Sequence, residues 1–241
     1  MAIAFAASVL AGCSSGVVQP LKQSPAPAKE TQQPPEAAIA AGTGFLPDPA
    51  RMTTDSRYPF RQSWVQPGVD FKNYTEVMLA PISLEHLAPP PANSGATAED
   101  NRHASVDAAV FAGDAFIQAV HDDPSRRFSI VTQADAKTIV VEMALVELTP
   151  SVQPSSADAF GIPTSSSASS ALQREANLNG RGTVAMELKL RDGKTNQVIA
   201  IFADARRAKA PPGDQKLTPG YGFANQIAGL WMRQTVAMLA S

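Results

Sequence analysis

The chain has 241 residues, 44% hydrophobic and 17% charged, with 20 Lys and Arg against 22 Asp and Glu for a formal charge of -2. That composition suits one folded domain with attachments; it excludes a wholly disordered chain, a multispan membrane protein and a polycationic nucleic-acid binder. The 1 cysteine excludes an internal disulfide and a cysteine zinc cage, and the 3 histidines leave little material for metal or acid–base chemistry.

Residues Ala2 to Leu10 are apolar apart from Ser8. The stretch is far shorter than the ~20 residues that span a bilayer, so it reads as the apolar core of a signal peptide. Leu10-Ala11-Gly12-Cys13 resembles the bacterial lipobox, in which the cysteine thiol is alkylated with diacylglycerol and the chain is cut before it. Small side chains at Ala11 and Gly12 suit a peptidase that grips extended backbone. No Lys or Arg precedes the apolar stretch, a departure from that pattern. Ser14 after the cysteine, where an aspartate would act as a retention signal, resembles the sorting signal for the outer membrane. Residues 1–12 are therefore expected to be a signal peptide, and Cys13 a lipid anchor holding a periplasm-facing chain. Residues 13–43 are rich in Pro and Ala, and Pro20, Pro25, Pro27, Pro34 and Pro35 disfavour helix, so a disordered tether is expected.

Residues 44–241 are expected to form one domain. Residues 45–74 carry large apolar side chains with little period and read as irregular structure over the core, with a short strand near Ser63–Gln66. Thr75–Ser83 holds Val77, Met78, Leu79, Ala80 and Ile82 and predicts a strand buried on both faces. A helix is predicted from Thr97 as N-cap, with Asp100 completing a capping box. Val106, Ala109, Val110, Gly113, Ile117 and Val120 give it an apolar stripe, and Asp123-Pro124 ends it. Phe128–Val131 predicts a short strand. Lys137–Leu148 predicts a longer one, with Ile139, Val141, Met143 and Leu145 on one face. Parity puts Glu142 and Glu147 on opposite faces unless the strand bulges or ends before Glu147.

Residues 149–179 read as a long Ser- and Ala-rich loop, either a flexible strap or a partner-binding loop with Phe160 and Ile162 as candidate anchors. Arg181–Asp192 alternates cleanly, Asp192-Gly193-Lys194 predicts a turn, and Val198–Ala205 predicts the returning strand, giving a hairpin with one face buried and one solvated. Tyr221–Leu239 predicts a helix with Phe223, Ile227, Leu230, Trp231, Gln234 and Met238 along one stripe. The order strand, helix, strand, strand, hairpin, helix predicts an α+β fold: a mixed, mostly antiparallel sheet with two helices packed on one face.

Gly44-Phe45-Leu46 followed by Asp48, the run Asn73 to Pro81, and the hairpin Glu187 to Ala200 occur in an order that resembles the family called domain of unknown function 3313, a set of bacterial lipoproteins. The resemblance covers about residues 44–240. In its turn this chain has Asn196-Gln197 where the family gives a glycine. The family brings no established catalytic residues, so the resemblance assigns none.

The residues show little chemistry of their own. Gly193-Lys194-Thr195 ends like a phosphate loop, but Leu188 stands where the first glycine belongs and a strand follows instead of a helix. Gly220-Tyr221-Gly222 has Asn225 in place of a third glycine and reads as a helix entry. No Gly-x-Ser-x-Gly elbow occurs. His121-Asp122-Asp123 reads as a solvated helix C-terminus before it reads as a metal trio. His86 and His103 read as solvent-facing. Glu142 and Glu187 are mid-strand carboxylates that would form an acid pair only if the strands brought them together. Arg206, Arg207 and Lys209 make a short basic run, a solvated edge or a contact for anionic lipid or glycan.

The sequence thus predicts a lipid-anchored, non-enzymatic envelope protein that binds another envelope protein or a glycan, without cofactor, metal or nucleic acid. Its alternatives are an envelope hydrolase using strand carboxylates and a structural oligomeric lipoprotein.

Overall fold

A computed structural model of the chain describes residues 43–90, 96–151, 182–208 and 220–241. The lipobox with Cys13, the tether, Phe160, Ile162 and Lys209 lie outside the described residues. The elements are β1 (Gln62–Val65), β2 (Glu76–Leu79), α1 (Ala98–Asp122), β3 (Ser129–Ile130), β4 (Thr138–Thr149), β5 (Thr183–Asp192), β6 (Val198–Arg207) and α2 (Gly222–Ala240). Six strands form one sheet in the order β1-β6-β5-β4-β2-β3. The pairs β1–β6, β6–β5 and β5–β4 are antiparallel, whereas β2 runs parallel to both β3 and β4. Parallel neighbours need a crossover, and α1 supplies it between β2 and β3. Both helices pack on one face of the sheet, as the sequence predicts. The main core lies between them and Val77, Ile139, Val141, Met143, Leu145, Val184, Met186, Leu188, Leu190 and Phe202.

The start of α1 follows the sequence closely. Thr97 Oγ1 accepts from the Asp100 N–H at 3.0 Å, and Asp100 Oδ2 accepts from the Thr97 N–H at 3.3 Å. The buried face of α1 is a correction. Asn101, Ser105, Ala108, Ala112, Phe116 and Val120 point inward. Of the stripe expected there only Val120 is buried; Ala109 and Gly113 are half-buried, and the rest faces out: Val106 and Ile117 are each 43% exposed and Val110 is 61% exposed. The reason is steric. The inward row crosses α2 at Ala224, Ala228 and Gly229, all buried, and small residues on both helices let the backbones approach. At Gly229 a Cβ would sit 2.8 Å from the Phe111 ring, so a larger side chain there requires that ring to shift. The buried row of α2 likewise centres on Ala224, Ala228, Trp231, Met232, Thr235 and Leu239, leaving Phe223, Ile227, Leu230 and Gln234 half-buried at its margin.

Two strands also differ from expectation. In β2 only Val77 is fully buried, on the core side of the sheet, and Glu76, Met78 and Leu79 are half-buried. In the β5–β6 hairpin both faces are buried, including Thr183, Ala185, Glu187 and Lys189. The expected solvated face is covered by the segment that precedes β1. Strand β4 bulges between Leu145 and Glu147, one of the alternatives left open by parity. The extra residue moves Glu147 to the face that carries Glu142, opposite Ala185.

Candidate functional site

The sheet face away from the helices carries a line of charges. Glu142 on β4 stands directly opposite Lys189 on β5, with Arg191 and Glu187 at the two diagonal positions. Lys189 Nζ lies 2.7 Å from Glu142 Oε2 and Arg191 Nε lies 2.9 Å from Glu142 Oε1, so both carboxylate oxygens are taken. Arg191 also donates through Nη1 to the Asn196 carbonyl at 3.0 Å. Placing alternating charges two residues apart on one strand and one charge opposite them on the next is what brings the three together.

A strap beginning at Thr43 closes over this line. The Thr43 hydroxyl donates to Glu187 Oε2. The Phe45 ring covers Lys189, whose Nζ is 4.3 Å from the ring centroid, a cation–π contact. Phe45 also packs on Ala144, Val146, Ala185 and Ala205. His86 lies within hydrogen-bond distance of the Thr43 carbonyl through Nδ1, at 2.9 Å, and meets Phe45 edge-on at 5.6 Å. Gly44, at φ 86°, makes the bend that lets Thr43 and Phe45 both face the sheet. Glu187 is only 2% exposed. Burial pushes its carboxyl above the usual glutamate range, against the opposing pull of the Thr43 hydroxyl, His86 and the Leu46 N–H. Beside the strap an open groove of about 700 Å³ is lined by Phe45, Pro81, Ile82, Leu84, Glu85 and Glu142.

Tyr74 and the hairpin turn, which also carry the family resemblance, meet at the far end of the hairpin. The Tyr74 hydroxyl donates to Asp192 Oδ2 at 2.9 Å, and burial with that contact pushes its pKa up to about 12. Asp192 Oδ1 accepts from the Lys194 and Thr195 N–H groups at 3.1 and 2.7 Å, which shapes the turn. Asn196 takes φ 58°, the left-handed conformation that the family's glycine would supply. At Gly193 a Cβ would lie 2.5 Å from the Asp135 carbonyl, so glycine is required there by close approach to the entry of β4. Gly193-Lys194-Thr195 is thus a hairpin turn.

Of the residues singled out in the sequence, Glu142 and Glu187 share a face, but Glu142 is held by two cations. Arg206 is engaged within the chain: Nε donates to Asp204 Oδ2 at 2.8 Å and Nη2 to Gln234 Oε1 at 2.9 Å. Arg207 lies on the other face, and its charge opposes the upward push of burial on the Glu147 carboxyl. His103 and His121 are exposed on α1, whereas His86, expected to face solvent, is held under Phe45. Sequence reasoning missed three participants. Thr43 and His86 give no periodic signal, because their partners are distant in sequence. Asp204 does give one: it follows Ala200 and Phe202 at core-facing parity, and a carboxylate there must find donors. It accepts from Trp231 Nε1 at 2.7 Å, from Arg206 and from the Ala205 N–H.

Among the described residues, no three His, Cys, Asp or Glu side chains gather to hold a metal, and no helix is long and apolar enough to cross a membrane. No curated protein matches the chain. Two solved structures of PelC dodecamers from Paraburkholderia phytofirmans are similar to it at 12% and 11% identity, each with a TM-score of 0.36. Each match covers 73% of this chain, and 93% and 95% of the respective PelC chains. At that TM-score the likeness carries no argument about assembly or role. The model of the family described as Protein of unknown function (DUF3313) matches residues 43–235, from the strap at Thr43 into the last turns of α2, and the chain belongs to that family.

Proposed function

We propose that this chain is a lipid-anchored envelope protein whose α+β domain is a docking module, without catalytic activity of its own. The observation that carries the reading is Leu10-Ala11-Gly12-Cys13: the one cysteine of the chain ends a short apolar stretch and is followed by a Pro- and Ala-rich tether. Anchoring confines the domain near the membrane and raises its effective concentration for envelope partners, another protein or a glycan. Ser14 favours the outer membrane and a periplasm-facing domain. The pairing on the sheet face beneath the strap supports a scaffold over an enzyme. Glu142 is paired with two cations that favour its ionised form, and Glu187 is closed off by Thr43 and Phe45. Membrane fractionation with a Cys13→Ser control tests the reading. The native chain is expected in outer-membrane fractions and the variant in the soluble or inner-membrane fractions; identical distribution of both would contradict it.

One observation favours a second reading. Glu142 and Glu187 lie on the same face of neighbouring strands, the placement an envelope hydrolase using two carboxylates requires. Activity on cell-wall glycan that Glu142→Gln abolishes would establish that reading in place of the first.

A further inference from the structure

Of the five large hydrophobic side chains exposed among the described residues, four lie on α1: Val106, Val110, Phe111 and Ile117. At 100° per residue, Val106, Val110, Gly113 and Ile117 fall within an arc of about 60°, a single strip along the helix. Gly113 stands inside that strip, and a Cβ built on it meets nothing within 4 Å. The strip therefore has a shallow notch at its middle, flanked by Val110 and Ile117. Asp107 and Asp114, seven residues apart, run along one edge of the strip, between it and Phe111. Both are exposed, and neither has an ion-pair partner among the described residues.

We propose that this face of α1 docks an amphipathic helix of a partner protein, one with an apolar stripe edged by Lys or Arg. The spacing sets the match. An apolar row at intervals of four, three and four residues receives knobs from a facing helix, and an acidic row at heptad spacing lines up with basic residues on that helix's flank. The same charges argue against other occupants. In an antiparallel pair of α1 helices about a twofold axis, the acidic edges of the two copies face each other and bring Asp107 towards Asp114. In a parallel pair the acidic edge meets the flank that carries Arg102 and Ala109, so Asp107 gains a cation while Asp114 faces Ala109 and stays unmatched. An anionic bilayer surface is repelled by that edge. The inference deepens the docking-module reading by naming a partner class. It rests on that reading but uses neither Cys13 nor the strap.

The test uses the full chain and two labelled synthetic helices of three heptads, with Leu at the apolar positions and either Lys or Glu along the flanks. By fluorescence anisotropy, the Lys-edged helix is expected to bind at least about tenfold more tightly than the Glu-edged one. Val110→Lys should weaken that binding by about tenfold with an unchanged unfolding midpoint, and Ile117→Lys serves the same purpose if the first variant folds poorly. Asp107→Lys combined with Asp114→Lys should reverse the preference between the two helices. The proposal is overturned if the two peptides bind alike or not at all, or if the Lys-edged helix binds Val110→Lys undiminished. It is equally overturned if sedimentation shows a self-association that Val110→Lys abolishes, which assigns the strip to a second copy, or if anionic vesicles bind through the same residues. Acylation of Cys13 is read by a separate measurement, so failure here leaves the anchor reading standing.

Discussion

Asp204 shows how a single side chain fastens a helix to the sheet. It is 1% exposed and accepts from Trp231 Nε1, Arg206 Nε and the Ala205 N–H. The indole N–H would otherwise be desolvated without a partner, and the Ala205 N–H lies on the part of β6 that extends past its pairing with β1. Asp204→Ala is expected to cost about 2 kcal/mol, because it strands the buried indole N–H and takes from Arg206 its carboxylate partner. Chemical denaturation followed by tryptophan emission measures it, and a loss near zero would remove Asp204 from this role. Gly193→Ala is expected to cost about 2 kcal/mol by overpacking, since backbone carbonyls with little freedom to move surround the site. Thermal unfolding checks this, and an unchanged midpoint would contradict it. At this scale the turn was partly legible. Asp192-Gly193 marked it, but only the backbone shows that Asn196 takes over the left-handed position. The contacts of Tyr74, Thr43 and His86 were not legible, because each partner lies far along the chain.

Among the elements, α1 is where hydropathy and structure part most. It exposes Val106, Val110 and Ile117, yet buries the small residues Ser105, Ala108 and Ala112 beside Phe116 and Val120. Helix crossing rewards small side chains through close approach, a term a hydropathy pattern does not contain. The start of the same helix was fully legible, because a capping box is a local device. Thr97→Ala is expected to cost about 1 kcal/mol. Circular dichroism through thermal unfolding reads it, and a gain in stability would contradict the cap's role. In β4 the alternation gave the core face correctly up to Leu145. Beyond that residue a bulge resets parity, and nothing in the side chains from Val146 to Leu148 decides between a bulge and an ended strand.

For the whole molecule, the sheet is covered on both faces, by two helices on one side and by the strap from Thr43 on the other. The proposed tether would run into the strap at Thr43, so an anchor at Cys13 would be joined to the domain next to Glu187. Burial raises the Glu187 carboxyl above its ordinary value of 4.5 in the folded chain. Between that value and the raised one, the folded chain holds a proton that the unfolded chain has lost. This contribution to stability is therefore fully present below pH 4.5 and is lost as pH rises through the folded value. Glu187→Gln, which keeps a hydrogen-bonding side chain for Thr43, should remove that decline in denaturant titrations run from pH 4.5 to neutrality; a slope equal to the native one would contradict it. The α+β class and the placing of the helices were legible because periodicity and chain order constrain both. The covered second face was not, because the strap has no period to announce it.

The most direct test of the anchored-module account is the intact mass of the protein extracted from membranes, alongside Cys13→Ser. The account predicts a chain that begins at Cys13 and carries a lipid-sized increment, with both cleavage and increment lost in the variant. An unmodified chain that still begins at Met1 would contradict it.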